Sequence, residues 1–316
     1  MENAEKGVRS ATENPEEKFE REREKWWSDK GVVSLSFRRH SRYDYGGEKI
    51  PAGSLTSEGI TLAREEARKW KEALPDDAKV TIFESPSFIP AGMREKPEPH
   101  MLMPSRARQT ASIYEKEVFG DLAPAEEGDD PLYKMQSTRR KLASNLGDFM
   151  EHVTEEEAAF IPAFFKTRKE VYGDDIGKFW EDFTAGTLEP RVQEALEKCG
   201  GDGSRELAEH LAAFIREATD GKREDSAGVL KEKTVNLAVT HGETMESFIH
   251  YVRQFLIAED RQGDADAISA GTDFGYNKGF DAHVKNGELF IEGGREIVKV
   301  GDIDAFLEYL KKNKHE

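Results

Sequence analysis

Two short β-rich runs, about two hundred residues apart, each end abruptly in a histidine that is followed by a helical pattern. The first run, residues 32–37, leads to Arg39 and His40. The second run, residues 234–239, leads to His241. In α/β sheets, ligand chemistry gathers at the carboxyl ends of strands, where side chains are held rigidly at the rim of a crevice. Two histidines delivered in this way, one of them directly preceded by arginine, indicate phosphoryl transfer through a histidine nucleophile.

The elements around these runs predict a three-layer α/β/α sandwich, with a mainly parallel sheet and helices on both faces. Thr56 or Ser57 caps a helix that runs through Leu74 with apolar residues at helical spacing, and residues 79–83 read as a strand. Further predicted elements are a helix from Ser105 to about 118, an amphipathic helix from Ser204, a hairpin around Asn286-Gly287 and a closing helix capped by Asp302.

The predicted domain organisation consists of three segments. Residues 1–30 are dense in Glu, Lys and Arg and predict a charged extension, either a solvated helix or a tail whose tryptophans dock on the body. A functional arm is the alternative. Residues 31–316 form the α/β domain, and within it residues 119–200 are expected to be an inserted helical cap. Its aromatic stretch, about 136–198, contains no strand-like run that would favour another βαβ unit.

Composition excludes several classes of protein. The chain has 46 Lys plus Arg against 63 Asp plus Glu, a formal charge of −17, which repels nucleic acid and anionic membranes. No run approaches the roughly 18 apolar residues of a membrane span, and the first ten residues lack the apolar stretch of a signal peptide. The single cysteine, Cys199, cannot form an internal disulfide, and no Cys-His cluster indicates zinc. A soluble, cytoplasmic, metal-independent protein is therefore expected.

Two further motifs lie between the histidines: Leu-Thr-Ser-Glu-Gly at residues 55–59 and Ser-Arg-Ala-Arg-Gln-Thr-Ala at residues 105–111. In this order, and with His241-Gly242, the motifs resemble the histidine phosphatase superfamily, the group that includes cofactor-dependent phosphoglycerate mutases. The resemblance covers about residues 32–115 and 204–255.

The chain departs from the pattern of that superfamily at three places. Ser41 stands where the superfamily usually has glycine, and Arg42 stands where an acidic residue is common. Ser85-Pro86 resembles the start of the Ser-Pro…Arg-Ala segment, but about twenty residues separate it from Arg106. We therefore expect a loop insertion beside the pocket.

The resemblance implies that Arg39, His40, Arg106 and His241 form a four-residue phosphate pocket. Planar guanidinium groups can bind phosphoryl oxygens and stabilise the charge of the transition state, and a neutral imidazole can attack phosphorus. His40 is the expected nucleophile, and His241 is expected to contact the transferring group. Arg42 is either an additional substrate contact or a surface arginine.

A leaving alkoxide also needs a proton, so a general acid is expected. In relatives this carboxylate usually follows the Arg-Ala motif by some twenty to thirty residues. Glu243, two residues after His241, is a second place to look. The candidates in the first window are Glu126, Glu127, Asp129 and Asp130.

These observations predict a phosphomonoester hydrolase that forms a phosphohistidine on His40 and uses neither a cofactor nor a metal. The expected partner is a small phosphorylated substrate or a phosphopeptide, without nucleic acid or membrane, and oligomeric state is not indicated. A phosphoglycerate mutase-type phosphotransferase is the nearest alternative. A non-catalytic phospholigand-binding protein, with the pocket retained and turnover lost, is the alternative of a different class.

Overall fold

A single mixed sheet organises the part of the chain that the computed structural model describes, namely residues 14–43, 55–85, 106–120, 140–150, 152–220, 233–272 and 274–312. Its seven strands lie in the order β3-β2-β4-β1-β5-β6-β7. The strands are β1 Val33–Arg39, β2 Lys79–Glu84, β3 Arg140–Leu142, β4 Thr234–Thr240, β5 Gly279–Lys285, β6 Glu288–Gly293 and β7 Glu296–Asp302.

The sheet divides into a parallel half and an antiparallel half. Strands β3, β2, β4 and β1 are parallel to one another, whereas β5, β6 and β7 form an antiparallel meander that pairs with β1. The predicted parallel arrangement is thus confirmed for the half that carries both histidines. The predicted hairpin joins β5 to β6, and its Asn286 and Gly287 have φ of 54° and 80°, the left-handed region that a two-residue hairpin turn requires.

Helices cover both faces of the sheet, as predicted. On one face, α2 and α3 pack against Val235 and Leu237 of β4. On the other face, α8, α9 and α11 pack against Leu35 and Phe37 of β1. The helices are α1 Pro15–Ser28, α2 Ser57–Ala73, α3 Arg106–Phe119, α4 Glu155–Ala158, α5 Ile161–Tyr172, α6 Ile176–Ala185, α7 Pro190–Lys198, α8 Ser204–Asp220, α9 Gly242–Ala258, α10 Gln262–Gly271 and α11 Ile303–Lys312. Among these described helices, none has the length and apolar character needed to cross a bilayer.

Capping residues begin two of the predicted helices. The Thr56 side chain accepts a hydrogen bond from Gly59 N, so Thr56 rather than Ser57 is the N-cap of α2. The Asp302 carboxylate accepts hydrogen bonds from the backbone N–H groups of Asp304 and Ala305 at the start of α11.

The N-terminal helix α1 docks on the sheet through its tryptophans, as expected. Trp27 is buried, and the Trp26 ring lies 4.5 Å from the Phe290 ring, centroid to centroid. The described part of the charged extension is therefore packed on the body.

The inserted segment has a hydrophobic core of its own, which also includes Leu207 of α8. The expectation that this segment contains no strand was wrong. Residues Arg140–Leu142 form the short edge strand β3, which pairs with β2 in parallel. The core of the insertion is formed largely by Phe149, Ile161, Phe164, Phe179, Phe183, Val192 and Leu196.

Candidate active site

The two predicted histidines lie side by side at the carboxyl edge of the parallel strands. Strands β1 and β4 are neighbours, with Arg39 in register with Thr240, and each histidine is the next residue. His40 N donates a hydrogen bond to Thr240 O at 2.9 Å. Both imidazoles are buried, and their ring centroids lie 5.2 Å apart. A topology that places the ends of parallel strands at one edge thus brings the two histidines together.

A hydrogen bond from the His40 ring determines which of its two nitrogens carries the proton and which keeps a lone pair. Its Nδ1 lies 2.9 Å from the carbonyl oxygen of Ser41. Because a carbonyl oxygen only accepts, Nδ1 carries the proton and Nε2 carries the lone pair. Burial holds the pKa of His40 well below its usual 6.5, and the neighbouring charges of Arg106, His241 and Arg39 lower it further. His40 is therefore neutral at pH 7, and its free lone pair lies on Nε2.

Ser41, which replaces the usual glycine, belongs to the scaffold that holds this geometry. Its backbone N–H donates to Thr110 Oγ1 at 2.9 Å, and its hydroxyl accepts from Asn277 Nδ2 at 2.8 Å. The hydroxyl also donates to the carbonyl of Gly59. These bonds tie the residue that orients His40 to three separate elements. The serine at this position therefore positions the nucleophile through its backbone.

Arg39 is held between a backbone carbonyl and an aromatic ring. Its Nη1 donates to Phe274 O at 3.0 Å, and its guanidinium carbon lies 4.8 Å from the centre of the Tyr276 ring. Its buried Nε has no hydrogen-bond partner among the residues that the structure describes. A Cβ on Gly242 would lie only 3.0 Å from the guanidinium, so the glycine after His241 makes room for Arg39.

Arg106, the first residue of α3, extends its side chain toward the two histidines. Its Nη2 lies 3.3 Å from Nδ1 of His241, and its guanidinium carbon lies 4.4 Å from the Tyr43 ring centre. Nδ1 accepts this bond, so Nε2 of His241 donates to Ser85 Oγ at 2.9 Å. Within the described part of the chain, the buried Nε of Arg106 has no hydrogen-bond partner. The start of α3 also contributes a positive helix end, which favours an anion.

A carboxyl group that the sequence did not single out completes the pocket. Asp148 Oδ2 lies 3.9 Å from Arg106 Nη2, and donor atoms of Asp148, His241 and Glu243 all lie within 4.8 Å of one another. Burial raises the pKa of Asp148 to about 6, and the negative charge of Glu243 adds to the rise. A carboxyl with a pKa near 6 keeps its proton to a higher pH than an ordinary aspartate, which suits it to general acid chemistry.

Hydrogen bonds from two threonine side chains to the preceding backbone position Asp148. Thr240 Oγ1 donates to the carbonyl of Leu146 at 2.6 Å, and Thr244 Oγ1 donates to the carbonyl of Gly147 at 2.8 Å. Both threonines flank His241, so the acid and the second histidine are positioned by the same turn. Of the acids predicted from sequence, Glu243 lies beside Asp148. Glu126, Glu127, Asp129 and Asp130 lie outside the described residues.

Three other arginines near the motifs have partners elsewhere. Arg38 points to the opposite face from Arg39, as its strand position predicts, and donates to Asp281. Arg42 is 53% exposed and its Nη1 lies 2.8 Å from Glu58 Oε2, so the structure does not bring it into the pocket. Its role as a substrate contact stays a prediction. Arg108 donates to Glu84 at 3.0 Å.

The pocket therefore combines two guanidinium groups, two imidazoles and a helix start around one point. Such a set can bind a phosphoryl dianion, present a neutral nitrogen to phosphorus and return a proton to a leaving oxygen.

Comparisons with solved structures give phosphoglycerate mutases and phosphatases, as the motif resemblance predicted. The phosphoglycerate mutase of Bacillus anthracis has 13% identity, with 90% of this chain and 98% of that chain covered and a TM-score of 0.41. A mycobacterial glucosyl-3-phosphoglycerate phosphatase has 12% identity, 85% and 95% coverage and a TM-score of 0.41. The phytase of Citrobacter braakii has 9% identity, 89% and 96% coverage and a TM-score of 0.37.

No family model matches the chain, and no curated protein matches it. Because these identities and TM-scores are low, we base the function on the residues of the pocket.

Proposed function

We propose that this protein is a phosphomonoester hydrolase of the histidine phosphatase type, acting through a phosphohistidine on His40. The observation that carries the proposal is the state of His40: neutral, with Nδ1 bound to the Ser41 carbonyl and Nε2 left as the nucleophile. Two arginines with unpartnered Nε groups flank it. The substrate class is a small phosphorylated molecule or a phosphopeptide.

In the first step, Arg39 and Arg106 bind the phosphoryl oxygens and offset the negative charge that would repel a nucleophile. Nε2 of His40 attacks phosphorus in line, forming a P–N bond while the bond to the leaving oxygen breaks. Asp148 gives its proton to that oxygen, so the product leaves as an alcohol. His241, whose Nε2–H donates to Ser85 Oγ, accepts from Arg106 through Nδ1 and so holds that guanidinium at the phosphoryl group.

In the second step, the Asp148 carboxylate takes a proton from water, and the resulting hydroxide attacks phosphorus. The P–N bond breaks, inorganic phosphate is released, and His40 and Asp148 return to their starting protonation states. Asp148 thus acts as acid in one step and as base in the next.

The test is turnover of p-nitrophenyl phosphate with and without vanadate, in wild type and His40→Ala. We expect vanadate inhibition of wild type and a loss of about 10⁴-fold in the variant, as for other nucleophile deletions. The matched control is His250→Ala, a half-buried histidine outside the pocket. Rapidly quenched wild type should carry acid-labile phosphate on His40, and phosphate on a serine or aspartate would end the histidine mechanism.

The same assay separates the alternatives. A mutase would pass the labelled phosphoryl group from the enzyme to a second phosphorylated acceptor faster than to water. A phospholigand-binding protein would bind vanadate and show no turnover in either protein.

Activity is expected to survive excess chelator, because two guanidinium groups already supply the positive charge that a metal would supply. Asp148, His241 and Glu243 do lie close enough to share an ion. Activity that is lost in EDTA and restored by a divalent ion would therefore assign the chemistry to a metal at these three residues.

A further inference from the structure

A second cluster of potential ligands lies where the insertion meets α8, close enough to Asp148 for the charge of Asp202 to add to the rise in the Asp148 pKa. It consists of His152, Asp202 and His210, whose donor atoms all lie within 4.8 Å of one another. His152 Nδ1 is 2.8 Å from Asp202 Oδ2, and His210 Nδ1 is 3.8 Å from the same oxygen. The two imidazole rings are 4.7 Å apart, centroid to centroid. Two imidazoles therefore converge on one carboxylate.

The three residues come from separately anchored parts of the chain. Asp202 precedes α8 by two residues, and its backbone N–H donates to the carbonyl of Phe149 at 2.7 Å. His210 lies on α8 itself, about two turns from its first residue, Ser204. His152 comes from the start of the insertion. The cluster thus connects the insertion to a helix of the main core.

A hydrogen bond accounts for only part of this arrangement. The 2.8 Å contact between His152 and Asp202 is a normal hydrogen bond, but 3.8 Å from His210 to the same oxygen is too long for one. His210 therefore faces the Asp202 carboxylate without a hydrogen bond to it. Its charged neighbours are the cluster members Asp202 and His152, together with Glu206 and Glu209 on its own helix.

We propose that His152, Asp202 and His210 form a binding site for a divalent transition metal, with Zn²⁺ as the ion that fits best. Zinc takes imidazole nitrogen and carboxylate oxygen, whereas Mg²⁺ and Ca²⁺ require mostly oxygen ligands. Bonds of about 2.1 Å at a tetrahedral angle place ligand atoms about 3.4 Å apart, within the range of the contacts here. Glu206 and Glu209 add negative charge that favours a cation.

The site is accessible and keeps a coordination position for water. The side chains of His152 and His210 are 40% and 31% exposed, so the ion can enter from solvent and small side-chain rotations suffice to bind it. Its role is to fasten the insertion to α8.

The experiment is calorimetric titration of metal-free protein with ZnCl₂, together with Co²⁺ absorption spectroscopy and thermal unfolding. We expect one equivalent of zinc, visible Co²⁺ bands of tetrahedral type and an unfolding temperature that rises with zinc concentration. His152→Ala, Asp202→Asn and His210→Ala should each weaken zinc binding by more than about 100-fold, since outer-sphere partners alone change metal affinity by 10–100-fold. His250→Ala, a half-buried histidine outside the cluster, is the control.

Three outcomes would overturn this inference. Zinc binding that persists in all three variants would place the ion elsewhere, and its loss in Glu243→Gln would place it at the phosphate pocket. Binding of several weak equivalents with no tetrahedral Co²⁺ spectrum would mean surface adsorption. These readouts do not depend on catalysis, so they stand whether or not the protein hydrolyses phosphate.

Discussion

The residues of the pocket act on one another through charge and hydrogen bonding. Burial lowers the pKa of His40 most, and the arginines that we propose to bind a phosphoryl dianion lower it further. Anion binding and nucleophile activation are therefore not independent. Removal of either guanidinium should therefore weaken phosphate binding and also raise the pKa of His40, so that the imidazole takes up a proton more readily.

Arg106 and Arg108 offer a matched pair for testing the phosphate contact. Arg106→Ala should cost about 3 kcal/mol or more of transition-state stabilisation, in the range of a lost electrostatic donor. Arg108→Ala should cost far less, because that side chain donates to Glu84. The measurement is kcat/KM for both variants, with thermal unfolding to confirm folding. A larger loss for Arg108→Ala would refute the assignment of Arg106.

The pH dependence should reveal Asp148. Because it must be protonated in the first step and its pKa is raised to about 6, activity should fall as pH rises through about 6. His40 is neutral well below that, since its own pKa is lowered, so the acidic limb lies at lower pH. Asp148→Asn should remove the basic limb and lower kcat by about 10²–10⁴-fold, more for alkyl phosphates than for p-nitrophenyl phosphate.

Glu243→Gln is the control for this assignment. Its charge raises the pKa of Asp148, so its removal should move the basic limb to lower pH while keeping it. The ionisation of a given substrate is the same for every variant, so differences between profiles belong to the protein. A limb that disappears only in Glu243→Gln would make Glu243 the acid.

At the scale of single residues, the sequence predicted that the two histidines and two arginines meet in one pocket, because each stands at a strand end or helix start with a recognisable motif. It did not predict Asp148, which lies in a segment without periodicity. Its position depends on hydrogen bonds from the hydroxyls of Thr240 and Thr244 to the backbone carbonyls just before it, and these threonines lie about a hundred residues further along the chain. Tyr276 was missed for the same reason, since its contact with Arg39 follows from the position of β5 beside β1.

At the scale of secondary structure, the strand ends and the hairpin were predictable because local chemistry specifies them. A buried β-rich run gives a strand, and Asn-Gly gives a tight turn. Strand β3 was not predictable, because three residues offer no periodicity and its pairing with β2 is a tertiary contact. The antiparallel meander was likewise only partly visible, through its hairpin.

Helix α1 provides a stability test at this scale. Buried Glu292 accepts hydrogen bonds from Arg23 at 2.7 Å, Trp27 at 2.6 Å and His283 at 2.9 Å, which hold its pKa at about 2. A lowered pKa stabilises the fold above the ordinary value of 4.5, and this stabilisation is lost as pH falls toward 2. Glu292→Gln should cost about 3 kcal/mol at pH 7, the range for a broken buried ion pair.

The check is urea unfolding followed by tryptophan fluorescence at several pH values. Wild type should lose stability below pH 4.5 more steeply than Glu292→Gln does. Glu22→Gln, an exposed change of the same charge on α1, should behave like wild type. Identical acid dependence in wild type and Glu292→Gln would show that Glu292 is not the group responsible.

At the scale of the whole molecule, the net charge and the pocket have opposite signs. The chain carries −17 overall, yet Arg39 and Arg106 concentrate positive charge at one sheet edge. An acidic exterior repels polyanions, while the pocket attracts a single phosphoryl group. This division favours small phosphorylated ligands over nucleic acid.

The segment from Phe149 to Cys199 packs largely around a hydrophobic cluster of its own, and its helix α6 also contacts α9. Its core of aromatic residues includes a single residue of α8, Leu207, and its entry carries Asp148. Asp202 N lies 2.7 Å from Phe149 O, so the chain leaves and returns at one place. A short linker can therefore replace the helices between Met150 and Gly201 while Asp148 stays in position.

Such a replacement tests whether the insertion is a cap that selects substrates. If it is, the variant should lose more activity on a bulky native substrate than on p-nitrophenyl phosphate, because the pocket residues all lie outside the removed segment. A screen of phosphorylated metabolites and phosphopeptides supplies the bulky substrate. Circular dichroism and thermal unfolding must first show a folded protein, with Leu207→Ala in the intact chain as a control for the exposed patch on α8. Equal losses on both substrates would assign the insertion a structural role alone.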